Sequence, residues 1–225
     1  MGASGDMLAG ALIGLVDKNK FLSRLNDIGL NGVSFELKEV EHHGIKGIKF
    51  LVVIDAKPSH NTLPSITQKI SNLKISDKVK SNAIAVYNLI AQVESAVHGE
   101  PVNQIHFHEV GDLDAIADIV AVSMLIEEIA PDEIICSPVN TGSGAVKCAH
   151  GILPVPAPAT KILLEGISTF ANEIKSELCT PTGAALLKHF ATNFQPLPQT
   201  AISSNSSAGF GVKIFDKPNC VKAYL

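Results

Sequence analysis

The sequence lacks the features that mark membrane and nucleic-acid-binding proteins. No run approaches the roughly 20 consecutive apolar residues of a membrane-spanning helix, so we expect no membrane partner. The 18 lysines and arginines are dispersed and the formal net charge is -4. Because nucleic-acid surfaces need clustered basic side chains, we expect no nucleic-acid partner.

Paired cysteines and an N-terminal leader are also lacking. No CxxC pair occurs, and no basic segment followed by an apolar stretch opens the chain. We therefore expect reduced thiols and a cytoplasmic location. The four cysteines lie far apart, at Cys136, Cys148, Cys179 and Cys220.

What the chain does have is enough apolar residues for a core. Apolar residues make up 46% of the 225 residues, and a chain of this size can bury roughly 70% of its unfolded surface. The order of helical and alternating patterns predicts a mixed α/β (α+β) fold, a single domain over residues 1–225 with a mixed sheet and several packed helices. Helices are predicted at 4–16, 20–28, 66–73, 78–97, 115–129, 158–165 and 181–190. Strands are predicted at 34–42, 47–56, 105–110 and 133–139, with two more in 210–225.

The stretch HFHEVGDLDAIAD, residues 106–118, is the main candidate for chemistry. Asp114 and Asp118 lie one turn apart on an otherwise apolar helix, where carboxylates are costly unless they are paired or bind a metal. Imidazole and carboxylate ligands suit nickel, manganese, magnesium or zinc. The alternative is that the acids cap the helix or face water and that the histidines form ordinary hydrogen bonds. The candidate metal ligands are His106, His108, Glu109, Asp114 and Asp118.

Glycine-rich turns supply the candidate anion sites. In GASGDM, Gly2, Ser4 and Gly5 could direct backbone amides at a phosphate, although a serine-capped helix start with Asp6 explains the same letters. Thr180 and Thr182 open a later helix, and helix initiation alone also accounts for them.

The segment 140–160 carries two further glycines at which backbone could approach a ligand. Gly142 and Gly144 permit that approach, and the prolines that follow would hold His150 on a rigid turn. A plain hairpin followed by a proline-started helix is the alternative.

Five ordered blocks cover nearly the whole chain: GASGDML, HFHEVGDLDAIADIV, HGILPVPAPAT, ELCTPTGAALL and PNCVKAYL. Together they resemble the N-terminal region of the LarC family of nickel insertion proteins. The resemblance implies CTP-dependent insertion of nickel into pyridinium-3,5-bisthiocarboxylic acid mononucleotide, which completes the nickel-pincer cofactor of lactate racemase. It implies nickel, and CTP with magnesium or manganese, as the cofactors. A non-catalytic subunit that holds nickel or a nucleotide is the alternative.

The resemblance also assigns roles to the candidate residues. Catalytic roles are expected for Asp6, His108, Glu109, Asp114 and His150. Cofactor contacts are expected for Gly2, Ser4, Gly5, Gly142, Gly144, Thr180 and Thr182.

The chain departs from the family pattern in several places. The resemblance implies a C-terminal domain to which the family's CTP chemistry is attributed, and we expect it to be a separately made partner; assembly as a homo-oligomer is a further expectation. A short strand that normally precedes GASGDM is also expected to be missing. Ala115 and Asp112 stand where relatives carry serine and a small neutral residue, and DAKPSHNTLPS holds only His60 in place of a His-rich insertion.

Overall fold

The helices begin and end at residues that satisfy the backbone groups there. A computed structural model describes residues 1–56, 61–107, 109–148, 151–198 and 205–225, except for the side chains of His106 and Glu109. Thr180 accepts a hydrogen bond from the Gly183 amide and so caps the last helix, and Gly99 ends the longest helix in the left-handed conformation. The helices are α1 Gly5–Ile13, α2 Lys18–Asn26, α3 Leu63–Ser71, α4 Asp77–His98, α5 Leu113–Ile129, α6 Pro158–Leu163 and α7 Pro181–Phe190.

The largest sheet of the described residues has four strands in the order β1-β2-β11-β12. Its hairpin pairs Val33 with Ile54 through to His42 with Ile45. The turn uses positive φ angles at His43 and Gly44, as a two-residue hairpin loop requires. Pairing between β11 and β2 is parallel, so the sheet is mixed. The strands are β1 Val33–His42, β2 Ile45–Ile54, β3 Asn61–Thr62, β4 His106–Phe107, β5 Ile135–Cys136, β6 Val139–Asn140, β7 Ala145–Cys148, β8 Gly151–Pro154, β9 Thr169–Phe170, β10 Asn193–Phe194, β11 Ser206–Phe210 and β12 Cys220–Tyr224.

The predicted strands on either side of α5 are much shorter than expected. Only two residues form β4, which pairs with β3, and only two form β5, which pairs with β10. The predicted order of strand, helix and strand over 105–139 is present, but the two strands are short and do not share a sheet. The prediction that both closing strands lie within 210–225 was wrong in part, since β11 occupies 206–210.

Segment 140–160 contains the predicted hairpin and the proline-started helix, and the predicted approach of its glycines to a ligand stays a prediction. Strands β7 and β8 form an antiparallel hairpin, and α6 begins at Pro158. His150 lies outside the described residues.

The core forms where α1 and α5 pack together and against the sheet. Gly10 lets α1 approach the sheet closely, because a Cβ there would meet the Ile48 carbonyl oxygen at 2.7 Å. Most of α5 is buried, which matches its nearly continuous apolar sequence. The predicted mixed α+β fold is confirmed. No helix of the described residues is long and apolar enough to cross a membrane.

Candidate functional site

Two carboxylates meet where the start of α1 contacts α5. Gly5 lies directly against Asp118, so that a Cβ on Gly5 would overlap the aspartate side chain. The backbone amide of Asp6 donates a hydrogen bond to the Asp118 carboxylate. The positive end of the α1 dipole therefore already faces an acid from the chain itself, an arrangement that stabilises negative charge there.

Burial raises the pKa values of both carboxyl groups. The pKa of Asp118 is raised well above its ordinary value, first by burial and then by repulsion from Asp6 and Asp114. Its Oδ1 atom is buried and has no hydrogen-bond partner among the described residues. Burial also raises the pKa of Asp6, although hydrogen bonds from the Ser4 hydroxyl and nearby backbone amides oppose the shift. Paired groups with perturbed pKa values are typical of functional sites.

A buried tyrosine of α4 lies within electrostatic reach of the same acids. Tyr87 is fully buried, and its hydroxyl has no hydrogen-bond partner within the described ranges. Its pKa is raised well above 10, by burial first and then by Asp114, Asp118 and Asp112. Sequence analysis missed Tyr87 because it occupies a helical core position that an apolar residue could equally fill.

The predicted metal ligands are only partly placed. Asp114 and Asp118 do lie one turn apart on α5, but Asp114 is exposed and its carboxylate accepts a hydrogen bond from the Ala115 amide at 2.8 Å. His108 lies outside the described residues, as do the side chains of His106 and Glu109. Among the side chains that are described, no group of three or more His, Cys, Asp or Glu could hold a metal ion. The five-residue ligand set stays a prediction.

Of the two predicted helix caps, Thr180 forms its capping hydrogen bond and Ser4 does not. Ser4 occupies the N-cap position of α1 but makes no capping hydrogen bond. Its hydroxyl donates to Asp6 instead. Thr180 is an N-cap as predicted, and Thr182 is buried in the first turn of α7.

The glycines predicted to line an anion site bring chain segments together. A Cβ on Gly2 would overlap the Leu178 carbonyl group, and one on Gly142 would overlap the Ser176 carbonyl oxygen. The Thr180 amide donates to the Ala3 carbonyl oxygen at 3.0 Å. Three separate glycine-containing blocks thus converge beside α1. Backbone lies so close to these glycines that a larger side chain would not fit, which explains glycine there without a ligand. Gly144 has a positive φ and lies at the start of the β7–β8 hairpin.

A small cavity that contains both polar and apolar side chains opens beside Asp6. We call it the α1 cavity; its volume is about 170 Å³. It is lined by Ser4, Asp6, Met7, Glu177, Leu178, Thr180, Gly211, Val212, Lys213 and Asn219. Lys213 and Asn219 come from the β11–β12 connection and were not candidates from the sequence. A larger cavity of about 510 Å³ is lined mainly by apolar side chains of α1, α5, α7 and β12, and includes neither Asp6 nor Asp118.

Comparison with known proteins shows the family to which this chain belongs. The profile of the family described as "Nickel insertion protein" matches residues 1–225, and the chain belongs to that family. It is 37% identical over 225 residues to a putative nickel insertion protein of Dictyoglomus thermophilum, covering all of this chain and 58% of that relative. A putative nickel insertion protein of Methanosarcina barkeri is 37% identical over 227 residues, with 100% and 57% covered.

A third relative carries a more specific name. The pyridinium-3,5-bisthiocarboxylic acid mononucleotide nickel insertion protein of Geobacillus kaustophilus is 35% identical over 235 residues, covering 100% of this chain and 57% of that protein. The chain therefore spans less than two thirds of the length of these relatives. No solved structure matches the chain.

Proposed function

We propose that this chain is the N-terminal half of a nickel-inserting enzyme. It would act with a separately made C-terminal domain to insert nickel into pyridinium-3,5-bisthiocarboxylic acid mononucleotide. Membership of the nickel insertion family supports the proposal, as does the name of the Geobacillus kaustophilus relative. The structural observation that carries it is the contact between the start of α1 and Asp118 of α5, which brings together two carboxylates, those of Asp6 and Asp118, whose pKa values are raised by burial.

The chemistry of the reaction suits such a pair. Nickel is a substrate here, and replacing a ring carbon–hydrogen bond by a carbon–nickel bond releases one proton. A carboxylate whose pKa is raised by burial accepts a proton more readily than an ordinary aspartate. We assign catalytic roles to Asp6, His108, Glu109, Asp114 and His150. Nickel ligands are proposed among His106, His108, Glu109, Asp114 and Asp118, since imidazole and carboxylate groups bind this ion.

The remaining parts of the reaction fall to the partner. CTP, with magnesium or manganese, would bind the C-terminal domain, and the complete protein would work as a cyclometallase of the lyase class in the cytoplasm. Assembly of more than one copy is part of the same proposal. Gly2, Ser4, Gly5, Gly142, Gly144, Thr180 and Thr182 would shape the surroundings of the bound nucleotide.

The proposal is tested by reconstitution. The purified chain is mixed with the C-terminal domain of the Geobacillus kaustophilus relative, CTP, manganese, nickel and the mononucleotide, and the product is added to apo lactate racemase. Racemase activity should rise above that obtained with the C-terminal domain alone. Asp118→Asn should remove the gain, whereas the exposed Asp132→Asn should keep it. The proposal fails if the chain adds nothing.

A nickel-holding subunit without chemistry is the second candidate. It is favoured by the partial coverage of the relatives: the chain spans only 57–58% of their length, so the chemistry could belong to the remainder. Calorimetry with nickel should show weaker binding after His106→Ala combined with His108→Ala. The matched control is His98→Ala, at the end of α4. Unchanged binding would remove the histidine pair from the ligand set, and binding without any reconstituted activity would favour the subunit.

A further inference from the structure

We propose that the α1 cavity binds the ribose phosphate of a pyridine mononucleotide. The inference rests on the proposed function and adds to it the place where the substrate is held. It would bring the substrate up against Asp6, which belongs both to this cavity and to the carboxylate pair.

The cavity offers hydrogen-bond acceptors for a sugar. Asn219 is only 7% exposed, and its Nδ2 donates to the Lys213 carbonyl oxygen at 3.1 Å. Its Oδ1 is buried and lacks a hydrogen-bond partner among the residues that the structure describes. A buried acceptor without a donor is destabilising, so a ligand hydroxyl that donates to it would be favoured. The Asp6 carboxylate lines the same cavity and is a second acceptor, so the pair could accept from the two adjacent hydroxyls of a ribose.

The cavity also offers a cation for a phosphate. The Lys213 ammonium donates to the Ser176 hydroxyl at 3.1 Å and to the Glu177 carbonyl oxygen at 3.2 Å. Both of these acceptors are neutral groups, and an ammonium has three donors. One donor therefore remains for a ligand anion, which would have to lie directly against the lysine because Asp6 and Glu177 also line the cavity. The two existing bonds hold the side chain in place.

The size of the cavity fits this part of the substrate. At about 170 Å³, it is smaller than the ~300–1,000 Å³ of pockets that hold a complete small ligand. It can accept a sugar with its phosphate and must leave a pyridinium ring outside. The ring would then lie on the Asp6 side, near Asp118.

Calorimetry with two ligands tests the inference. One ligand is the thiocarboxylated pyridinium mononucleotide and the other is the same compound without its phosphate. Lys213→Gln should weaken binding of the mononucleotide about tenfold, the loss expected for one charge-assisted hydrogen bond, and leave binding of the phosphate-free compound unchanged. Lys217→Gln removes a nearby exposed charge that pairs with Glu173 and should change neither affinity.

A sugar analogue avoids any effect of mutation on folding. An analogue of the mononucleotide that lacks the ribose hydroxyls should bind the unaltered chain several-fold more weakly, because Asn219 and Asp6 would lose their donors. The α1 cavity is not the site if the unaltered chain binds the mononucleotide, Lys213→Gln binds it equally well, and the analogue binds as tightly as the mononucleotide. The proposed function would then stand. If the unaltered chain does not bind the mononucleotide, substrate binding by this half fails together with the inference.

Discussion

Replacing Asp118 by asparagine should stabilise the protein at neutral pH while removing its activity. Burial raises the pKa of Asp118 in the folded state, whereas the unfolded value is about 3.9. The folded state therefore binds the proton more tightly, so stability is greatest below the unfolded pKa. It falls as the pH rises through the window between the two values. Asparagine keeps an acceptor for the Asp6 amide and carries no charge.

The size of the effect follows from the charge on the buried carboxylate, because the asparagine amide still leaves one buried polar atom without a partner. A buried charged acceptor costs more than the about 1–3 kcal/mol of a neutral one, and a chain of this size gains about 2–4 °C in Tm per kcal/mol. Thermal unfolding at pH 7 should therefore show a Tm at least about 2 °C higher for Asp118→Asn. Unfolding of the unaltered protein at a series of pH values from 4 upward should show stability falling, and the variant should show a flatter curve.

Asp132→Asn provides the control, because Asp132 is exposed in the loop after α5. Its Tm should match that of the unaltered protein within about 1 °C, as surface substitutions change stability by no more than about 0.5 kcal/mol. A lower Tm for Asp118→Asn at pH 7, or an unchanged dependence on pH, would refute the argument. The charge of Asp118 would then contribute more to α1 than its burial costs.

Three further changes test other parts of the structure by thermal or urea unfolding. Tyr87→Phe removes a buried hydroxyl without a described partner and should be neutral or stabilise by up to about 1 kcal/mol; a clear loss would mean that the hydroxyl is hydrogen-bonded. Thr180→Ala should cost about 1 kcal/mol through loss of the α7 cap, and Thr180→Ser should recover most of it; equal stabilities would exclude capping. Gly183→Ala usually favours a helix by about 1 kcal/mol, but here its Cβ would overlap the Ala3 carbonyl oxygen. We expect a loss of about 1–3 kcal/mol instead, and a gain would show that the N-terminal segment can move.

The regular elements could be predicted from the sequence because their signals are local. Helix α7 has its predicted bounds, set by the Thr180 cap and the proline that follows it. Helix α4 ends at Gly99 as predicted. The β1–β2 hairpin follows from alternating residues on each side of the His43–Gly44 turn. Each of these depends on residues within a few positions of one another.

Strand pairing could not be predicted in the same way. Apolar and alternating residues in 105–110 and 133–139 suggested strands of full length, but each pairs over only two positions with a segment distant in the chain. These pairings depend on the positions of the two ends of α5 in the folded structure. A local sequence pattern carries no information about those positions.

The candidate site was predicted in part. The one-turn spacing of Asp114 and Asp118 follows from helical geometry, but their burial differs because only Asp118 faces α1. Asp6 was a candidate on the strength of the family resemblance, and the structure brings it to Asp118. Lys213 and Asn219 could not be predicted, since they reach α1 through a connection between β11 and β12 with no recognisable pattern.

The absence of a side chain at Gly5 limits which residues can stand at position 5. Asp118 occupies the volume that any larger residue would need, so position 5 and position 118 are two parts of one packing unit. A methyl group at position 5 would push the carboxylate off the helix start and alter the protonation of both acids at once. Substitution there should therefore resemble a loss of Asp118 in its effects, although glycine itself carries no reactive atom.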